Sequence, residues 1–495
     1  MVQRPRVNVD SAEQLKHILH AILCRSVVQL STHQDEARNF LESQGEVYAS
    51  VDEMDRRPEN AIIQHCRAQN LKVFHGNVYR RHFLTTLEGK TVFTHAYVKL
   101  QSLQQFVNKI AFTGSVLGNA LVRRPSLVRN CEKLLPQLEV TRGLFSFRNG
   151  VYDLKTNKFY RHEDQDITAN TLTFHDSTFG SLDVEDPLSI ATPSIDSIFQ
   201  AQGWDIETIT WFCVMVGRLL LPHNALNDNW NVWPFLFGPG SGKHVLLHLI
   251  TQMMGGRDHV FEQGAHTAGN FGKSVGMSQG LDKKHCFILS RVDGNCNMRQ
   301  STLANMICGD VIDISVKLQG MTPIQWDVQG ICSGHEFFQD DNLTLIRRFV
   351  PFRFFKHVND GDRICSLRQD CEVEIPDFIR KCGLLLHQKL RHLNGASPWR
   401  NIPESILETR RLIRTQSSPF MKFLLDPRFI RMDTKKDEWQ TPLEDVLLLY
   451  EMYQKKYAIV SRKNFTQSVL TQLGLRLLQR NDVKYIQGIR SVYSI

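Results

Sequence analysis

Apolar and polar positions change their period several times along this chain, and each change predicts a different element. From 11 to 23, SAEQLKHILHAIL spaces its apolar residues three and four apart, the period of a helix with one buried face. From 71 to 98, LKVFHGNVYRRHFLTTLEGKTVFTHAYV gathers β-branched and aromatic residues into short runs, which predicts strands. FSFRNGVYDLKTNKFY, 145 to 160, reads as two strands joined at a Lys-Thr-Asn turn, with Asn149-Gly150 as a second turn signal. The acidic, turn-rich stretch 175 to 194 predicts a surface connection, and 195 to 222 a helical segment. Strands and helices then alternate, with VWPFLF, HCFILS and the paired runs VIDISVK and MTPIQW as the clearest strands. That alternation predicts a three-layer α/β core with a mainly parallel sheet. Beyond about residue 355 the pattern is helical again, and SSPF at 417 to 420 opens a last unit ending in strand-like pieces around VKYIQGIRSVY.

Within the alternating region, FLFGPGSGKHVLL at 235 to 247 has the order of parts a triphosphate needs: apolar strand, Gly-rich turn, Gly-Lys, apolar helix. Gly238, Pro239, Gly240, Ser241, Gly242, Lys243 and His244 are therefore candidate nucleotide-binding residues. Gly238 and Gly242 enclose three residues where the usual spacing has four, and His244 stands where a magnesium-binding hydroxyl belongs. The alternative is a Gly-rich connection with a solvated lysine.

Composition changes this picture little. The chain has 495 residues, enough for two to four domains, and its 42% hydrophobic and 22% charged residues are those of an ordinary globular protein. A net charge of +8 permits a polyanionic partner without demanding one. Eleven cysteines without a CxxC pair point to a reduced, intracellular setting. Cys365, Cys371, Cys382 and His387 match no common zinc spacing, so buried thiols are expected there. No signal peptide is expected at the N-terminus. The most apolar run, WFCVMVGRLLLP at 211 to 222, is broken by Gly217 and Arg218 and too short to span a bilayer, so no membrane partner is expected.

FRNGVYDL, the strand-loop-helix at 231 to 254, CGDVIDISVKLQG, the double arginine of LTLIRRFVPFRF and LLLYEMYQKKYAIV, in this order, resemble the poxvirus- and phage-type primase-helicases of helicase superfamily 3. The resemblance covers roughly residues 100 to 495. It implies an AAA+-like P-loop core at 223–356, preceded by a mixed α+β region at 1–100 and a helical collar at 101–222. A helical connection at 357–416 and a winged-helix-like domain at 417–495 would follow. It further implies ATP and Mg2+ as cofactors, single-stranded DNA as partner, a homo-oligomeric ring, often a hexamer, and other replication proteins nearby. The setting would be intracellular, at viral or host replication sites, with cytoplasm and nucleus both open. About a hundred residues precede the similar region, too few for a complete primase module, so primer synthesis is not expected.

The resemblance also assigns roles. Arg347 or Arg348 would reach the phosphates of a neighbouring subunit, although paired arginines at a strand edge are commonly just solvated. Lys317, near the tip of a pore hairpin formed by VIDISVK and MTPIQW, would contact DNA, with Lys283, Lys284, Lys455, Lys456, Arg462 and Lys463 extending the track. Where the family has a magnesium-holding carboxylate at a strand end this chain has Arg291, leaving Asp293 as the local substitute if the strand alternates onward. Where it has a water-orienting Asn this chain offers Ser333 and His335. Three departures fall on the hydrolytic half of one site, so impaired hydrolysis is expected. A decayed, non-enzymatic DNA-binding or scaffold subunit is the alternative. A small-metabolite kinase would have no use for the hairpin or the winged tail.

Overall fold

The aromatic and β-branched runs after residue 70 form a three-stranded antiparallel meander: β1 (Leu71–Phe74), β2 (Asn77–Thr85) and β3 (Thr91–Lys99). The computed structural model describes residues 63, 66–74, 76–85, 91–103, 130–164, 167, 169–264, 284–292, 298, 300–316, 320–338, 345–359, 361, 364–417, 419–434, 436, 438–456, 470 and 473–492. The helical pattern at 11 to 23 lies outside them, as do Asp293, Lys317, Lys283, Arg462 and Lys463. The chain divides into two units, Met1–Tyr152 with Phe159–Thr178, and Asp153–Lys158 with Phe179–Ile495.

The FRNGVYDL region and the residues flanking it form β4 (Leu144–Phe147), β5 (Gly150–Asp153) and β6 (Lys158–Tyr160). With β7 (Phe174–His175) they make a sheet of order β6-β5-β4-β7. Asn157 turns the β5–β6 hairpin with φ 53°, a left-handed conformation that Asn tolerates. His175 is stacked on Phe147 with ring centroids 5.2 Å apart, and burial pushes its imidazole down to about 4.

The second unit begins with two helices where one helical segment is expected. α1 (Pro193–Gln202) stops at Gly203, φ 67°, and α2 (Ile206–Leu219) restarts from Asp205, whose carboxylate accepts from Thr208 N at 2.6 Å. Gly is a common left-handed helix stop and Asp a strong N-cap. The apolar run at 211 to 222 is therefore the buried end of α2 and the turn after it. Its Arg218 is buried and paired with Asp228 at 2.6 Å. No helix among the described residues is long and apolar enough to cross a membrane.

The alternating region builds the mainly parallel sheet. Its strands are β8 (Trp233–Phe237), β9 (Val260–Gly264), β10 (Cys286–Val292), β13 (Gln329–Gly334) and β14 (Phe349–Arg353). Their order is β14-β8-β13-β10-β9, and all four pairings are parallel. β8 is buried at every position, as continuous apolar strands in parallel sheets are. α3 (Lys243–Met253) follows β8, and α4 (Gln300–Cys308) follows β10. VIDISVK and MTPIQW pair as expected: β11 (Val311–Val316) and β12 (Gly320–Gln325) form an antiparallel hairpin in continuous register from Val311↔Gln325 to Val316↔Gly320.

After β14 come α5 (Leu367–Val373), α6 (Ile375–Leu393) and α7 (Glu404–Ser417). Of the thiols in this stretch Cys371 and Cys382 are buried and burial raises both, Cys371 to about 12, whereas Cys365 is exposed. Among the described residues no group of three or more His, Cys, Asp or Glu could hold a metal ion. The C-terminal region combines α8 (Pro419–Leu424) and α9 (Leu443–Lys456) with short antiparallel strands. β15 (Ile430–Met432) pairs β19 (Ile489–Ser491), and β16 (Gln440–Pro442), β18 (Val483–Gln487) and β17 (Arg476–Arg480) form a second sheet in that order. Phe420, Phe423 and Tyr450 there belong to the same apolar core as Phe235, Phe287 and Phe349 of the parallel sheet.

Candidate functional site

At the C-terminal edge of the parallel sheet lies a cavity of roughly 550 Å³. Three separated stretches of sequence meet in it. The turn after β8 brings Gly240, Ser241, Gly242, Lys243 and His244; the end of β10 brings Ser290 and Arg291; the end of β13 brings Ser333 and His335. Such crevices beyond the carboxyl ends of parallel strands are where open α/β sheets hold ligands.

The turn is held from below by its own chain. Gly238 N donates to Gly334 O at 2.9 Å, Gly240 N to Phe354 O at 2.6 Å and Ser241 N to Lys356 O at 3.0 Å. Pro239 has no N–H. Three amides of the turn are thus already engaged, and Val245 N and Leu246 N donate to Gly242 O, so the amides of Gly242, Lys243 and His244 are the ones left to face a ligand. Gly240 lacks a side chain for a reason of packing, because a Cβ there would lie 2.6 Å from the Phe354 carbonyl carbon.

Gln202, at the end of α1, holds the turn from its other side. Its amide nitrogen donates to Ser241 O at 3.1 Å and Lys356 O at 2.8 Å, and its carbonyl accepts from Phe355 N and Lys356 N, both at 3.0 Å. Gln202 is itself buried, and the four bonds are partly shielded from water. Nothing in the sequence marks it, since a Gln at a helix end is commonplace.

Lys243 folds back over the turn. Its Nζ donates to Gly238 O at 2.5 Å and to Gly240 O at 2.7 Å. Burial brings its ammonium down to about 8. The two carbonyls hold the cation where an anionic group would otherwise meet it.

Arg291 has φ 56°, a left-handed conformation uncommon outside Gly and Asn. It sits in a β-bulge: Leu289 faces Cys332 and Val292 faces Gly334, so Ser290 and Arg291 together oppose Ser333. The bulge breaks the strict face alternation on which the Asp293 reading depends, and it puts two consecutive side chains, Ser290 and Arg291, on the cavity. It also fixes Gly334, where a Cβ would come within 2.1 Å of Val292 O.

One lining residue was outside every sequence motif. Glu262 of β9 is exposed to the cavity and is the only carboxylate among the described residues that line it. The run VFEQG is short and weakly patterned, although a strand between α3 and β10 is what a crossover connection requires.

Arg347 and Arg348 lie elsewhere. Phe349 is level with Trp233 and Arg353 with Phe237, so the arginines precede the edge of the sheet where β8 begins, while the turn follows the edge where β8 ends. About five residues at 3.3 Å, roughly 16 Å, separate them. Arg347 is exposed, and Arg348 Nη1 contacts Cys308 Sγ. Of the expected DNA track, Lys284 donates to Asp258 O at 2.5 Å, and Lys455 and Lys456 end α9.

Residues 79–178, a stretch from β2 to just past β7, match the family described as D5 N terminal like. No curated protein matches the chain. Among solved structures, the A form apo structure of the NrS-1 C terminal region is 10% identical, covering 70% of this chain and 96% of that one, with a TM-score of 0.31. A second A form apo structure of that region, 305-718, is 11% identical, covering 87% and 100%, with a TM-score of 0.34. A likeness of that order carries no argument about what this chain does.

Proposed function

We propose that the second unit binds a nucleoside triphosphate in the cavity at the C-terminal edge of its parallel sheet, as part of a helicase-like protein of viral or phage DNA replication. One observation carries this reading: the Gly-Lys turn, the end of β10 and the end of β13 supply one cavity, as an AAA+-like core requires. The strand order β14-β8-β13-β10-β9 supports it, since the strand before the turn is flanked on both sides and the turn opens beside the sheet. The match of residues 79–178 to the D5 N terminal like family supports the replication setting.

In this reading Lys243 leaves the carbonyls of Gly238 and Gly240 to meet the outer phosphates, and Gly242 with the first turn of α3 gives amide donors at a helix N-terminus. Arg291 adds a second cation. Mg2+, when bound, neutralises phosphate charge and polarises the attacking water. The oxygens of Glu262, Ser290 and Ser333 suit a hard cation, whereas His244 and Arg291 do not. The phosphate-binding half is therefore better supplied than the hydrolytic half, so binding is retained while turnover is weak. Arg347 and Arg348, too far from the turn of their own chain, would act on that of a neighbouring copy in a ring. The β11–β12 hairpin, with Lys317 near its tip, and a winged-helix-like tail would contact single-stranded DNA.

The test is nucleotide-dependent thermal stabilisation of the parent and Lys243→Ala, with Mg2+-dependent ATPase measured with and without single-stranded DNA. Stabilisation that needs Lys243 supports the reading, and equal stabilisation of both proteins defeats it.

A further inference from the structure

Among the described residues, the cavity has cationic groups on two sides and one carboxylate. Lys243 stands at the turn and Arg291 at the bulge of β10; Glu262 stands on β9, the next strand out. In the parallel register Glu262 is level with Ile288, and Gly264 with Ser290. Residues level in a parallel pair share a face, as do residues two apart, so Glu262 and Ser290 point to the same side of the sheet. Glu262 lies one strand over, about 4.8 Å, and two residues back, about 6.6 Å. That offset lets a Glu side chain bring its carboxylate beside the Ser290 hydroxyl. Among the described residues the Ser290 Oγ makes only a long bond, 3.5 Å, as donor to Gln263 O, which leaves its lone pairs open to a ligand.

We propose that Glu262 is the carboxylate that holds the divalent cation of a bound nucleoside triphosphate, with the Ser290 hydroxyl as its neighbour, and that Arg291 takes a phosphate oxygen instead. The assignment rests on the nucleotide reading above. A magnesium ion in such a site keeps several waters and takes one or two carboxylates together with the phosphates, so one glutamate beside a hydroxyl is a sufficient protein contribution. The bulge explains the division of labour. By placing Ser290 and Arg291 on the cavity together, it fills the end of β10 with a hydroxyl and a guanidinium, and the oxygen-rich side of the cavity passes to β9. A guanidinium is a planar, permanently charged donor suited to phosphate and incapable of binding a cation.

The test uses the full chain with ATP as probe, in chelator and then with Mg2+ or Mn2+, comparing the parent with Glu262→Gln, Glu262→Asp and Lys243→Ala. Glu262 is exposed on the outermost strand, so its replacement leaves the core intact. ATP affinity in chelator should be the same for the parent and Glu262→Gln. Metal should strengthen ATP binding to the parent and not to Glu262→Gln, a loss of at least the roughly 10-fold typical of removing even an outer-shell metal partner. Glu262→Asp should keep part of the gain. The spectrum of Mn2+ bound with nucleotide should likewise change in Glu262→Gln. Full metal enhancement in Glu262→Gln overturns the assignment while leaving nucleotide binding standing. Equal ATP binding by Lys243→Ala and the parent in chelator overturns the nucleotide reading, and the assignment with it.

Discussion

Lys243 Nζ donates to Gly238 O at 2.5 Å, so the cation of the Gly-Lys turn is held by the first residue of the same turn. The ammonium is also partly desolvated and titrates at about 8. An incoming phosphate competes with two carbonyls for one proton-bearing group.

The pH dependence of nucleotide binding follows from that group. Phosphate needs the charged amine, and bound phosphate holds the proton more tightly. ATP affinity should therefore be level below about pH 8 and fall above it, by up to tenfold per pH unit until the bound lysine titrates. Calorimetric titrations between pH 7 and 9.5 measure this, and an affinity unchanged across that range removes Lys243 from the site.

Gln202→Ala should loosen the turn. It removes four part-buried hydrogen bonds and takes away the acceptor of the Phe355 and Lys356 amides. A loss of about 1–3 kcal/mol in denaturant unfolding is expected, together with weaker nucleotide-dependent stabilisation. A variant as stable as the parent would mean the turn stands without its clamp.

His244→Ser with Arg291→Glu should raise ATP turnover while lowering nucleotide affinity, because the Arg291 phosphate contact is given up. Both changes add oxygen ligands to the hydrolytic side of the cavity and leave Lys243 in place. Steady-state kcat and ATP Kd separate the two effects. If the parent already turns over at about 1 to 100 per second, the impaired-site reading fails.

Acid should weaken the first unit through His175. Its folded pKa of about 4 lies below the ordinary value of 6.5, so the neutral ring is favoured in the fold. That contribution is fully present above about pH 6.5 and is lost as pH falls toward 4, on the order of 3 kcal/mol in all. His175→Phe keeps the stack on Phe147 and should flatten the decline; unfolding curves at pH 7, 5.5 and 4.5 decide it.

Asp228→Ala should be severely destabilising, by about 3–5 kcal/mol, because it leaves the Arg218 guanidinium buried without its carboxylate. Replacing Arg218 and Asp228 together by apolar residues should cost less than the single change, and a double-mutant comparison of thermal unfolding reads the difference.

Much of this architecture was legible because periodicity survives folding. β8 is uniformly apolar and ends at a glycine, and the hairpin runs pair residue for residue. The break at Gly203 was missed: Gly-Trp-Asp offers a helix stop followed by an N-cap, but continuous apolar spacing on both sides hides it. Around the cavity, the turn, Arg291, Ser333 and His335 could be named because each sits in a recognisable strand end. Glu262 could not, since its place depends on which strand lies beside β10. Nor could the bulge, because an extra residue in a strand has no signature until its partner is known.

The Gln202 clamp has a mechanical consequence. It ties the Gly-Lys turn to Phe355 and Lys356, just past the end of β14, and Phe237 O ties β14 there to β8 through Phe354 N at 2.7 Å. β14 begins directly after Arg348. Because an extended backbone cannot lengthen appreciably, β14 behaves as a rod with the turn at one end and the two arginines at the other. A pull on the turn is therefore felt at Arg347 and Arg348, at the opposite edge of the sheet.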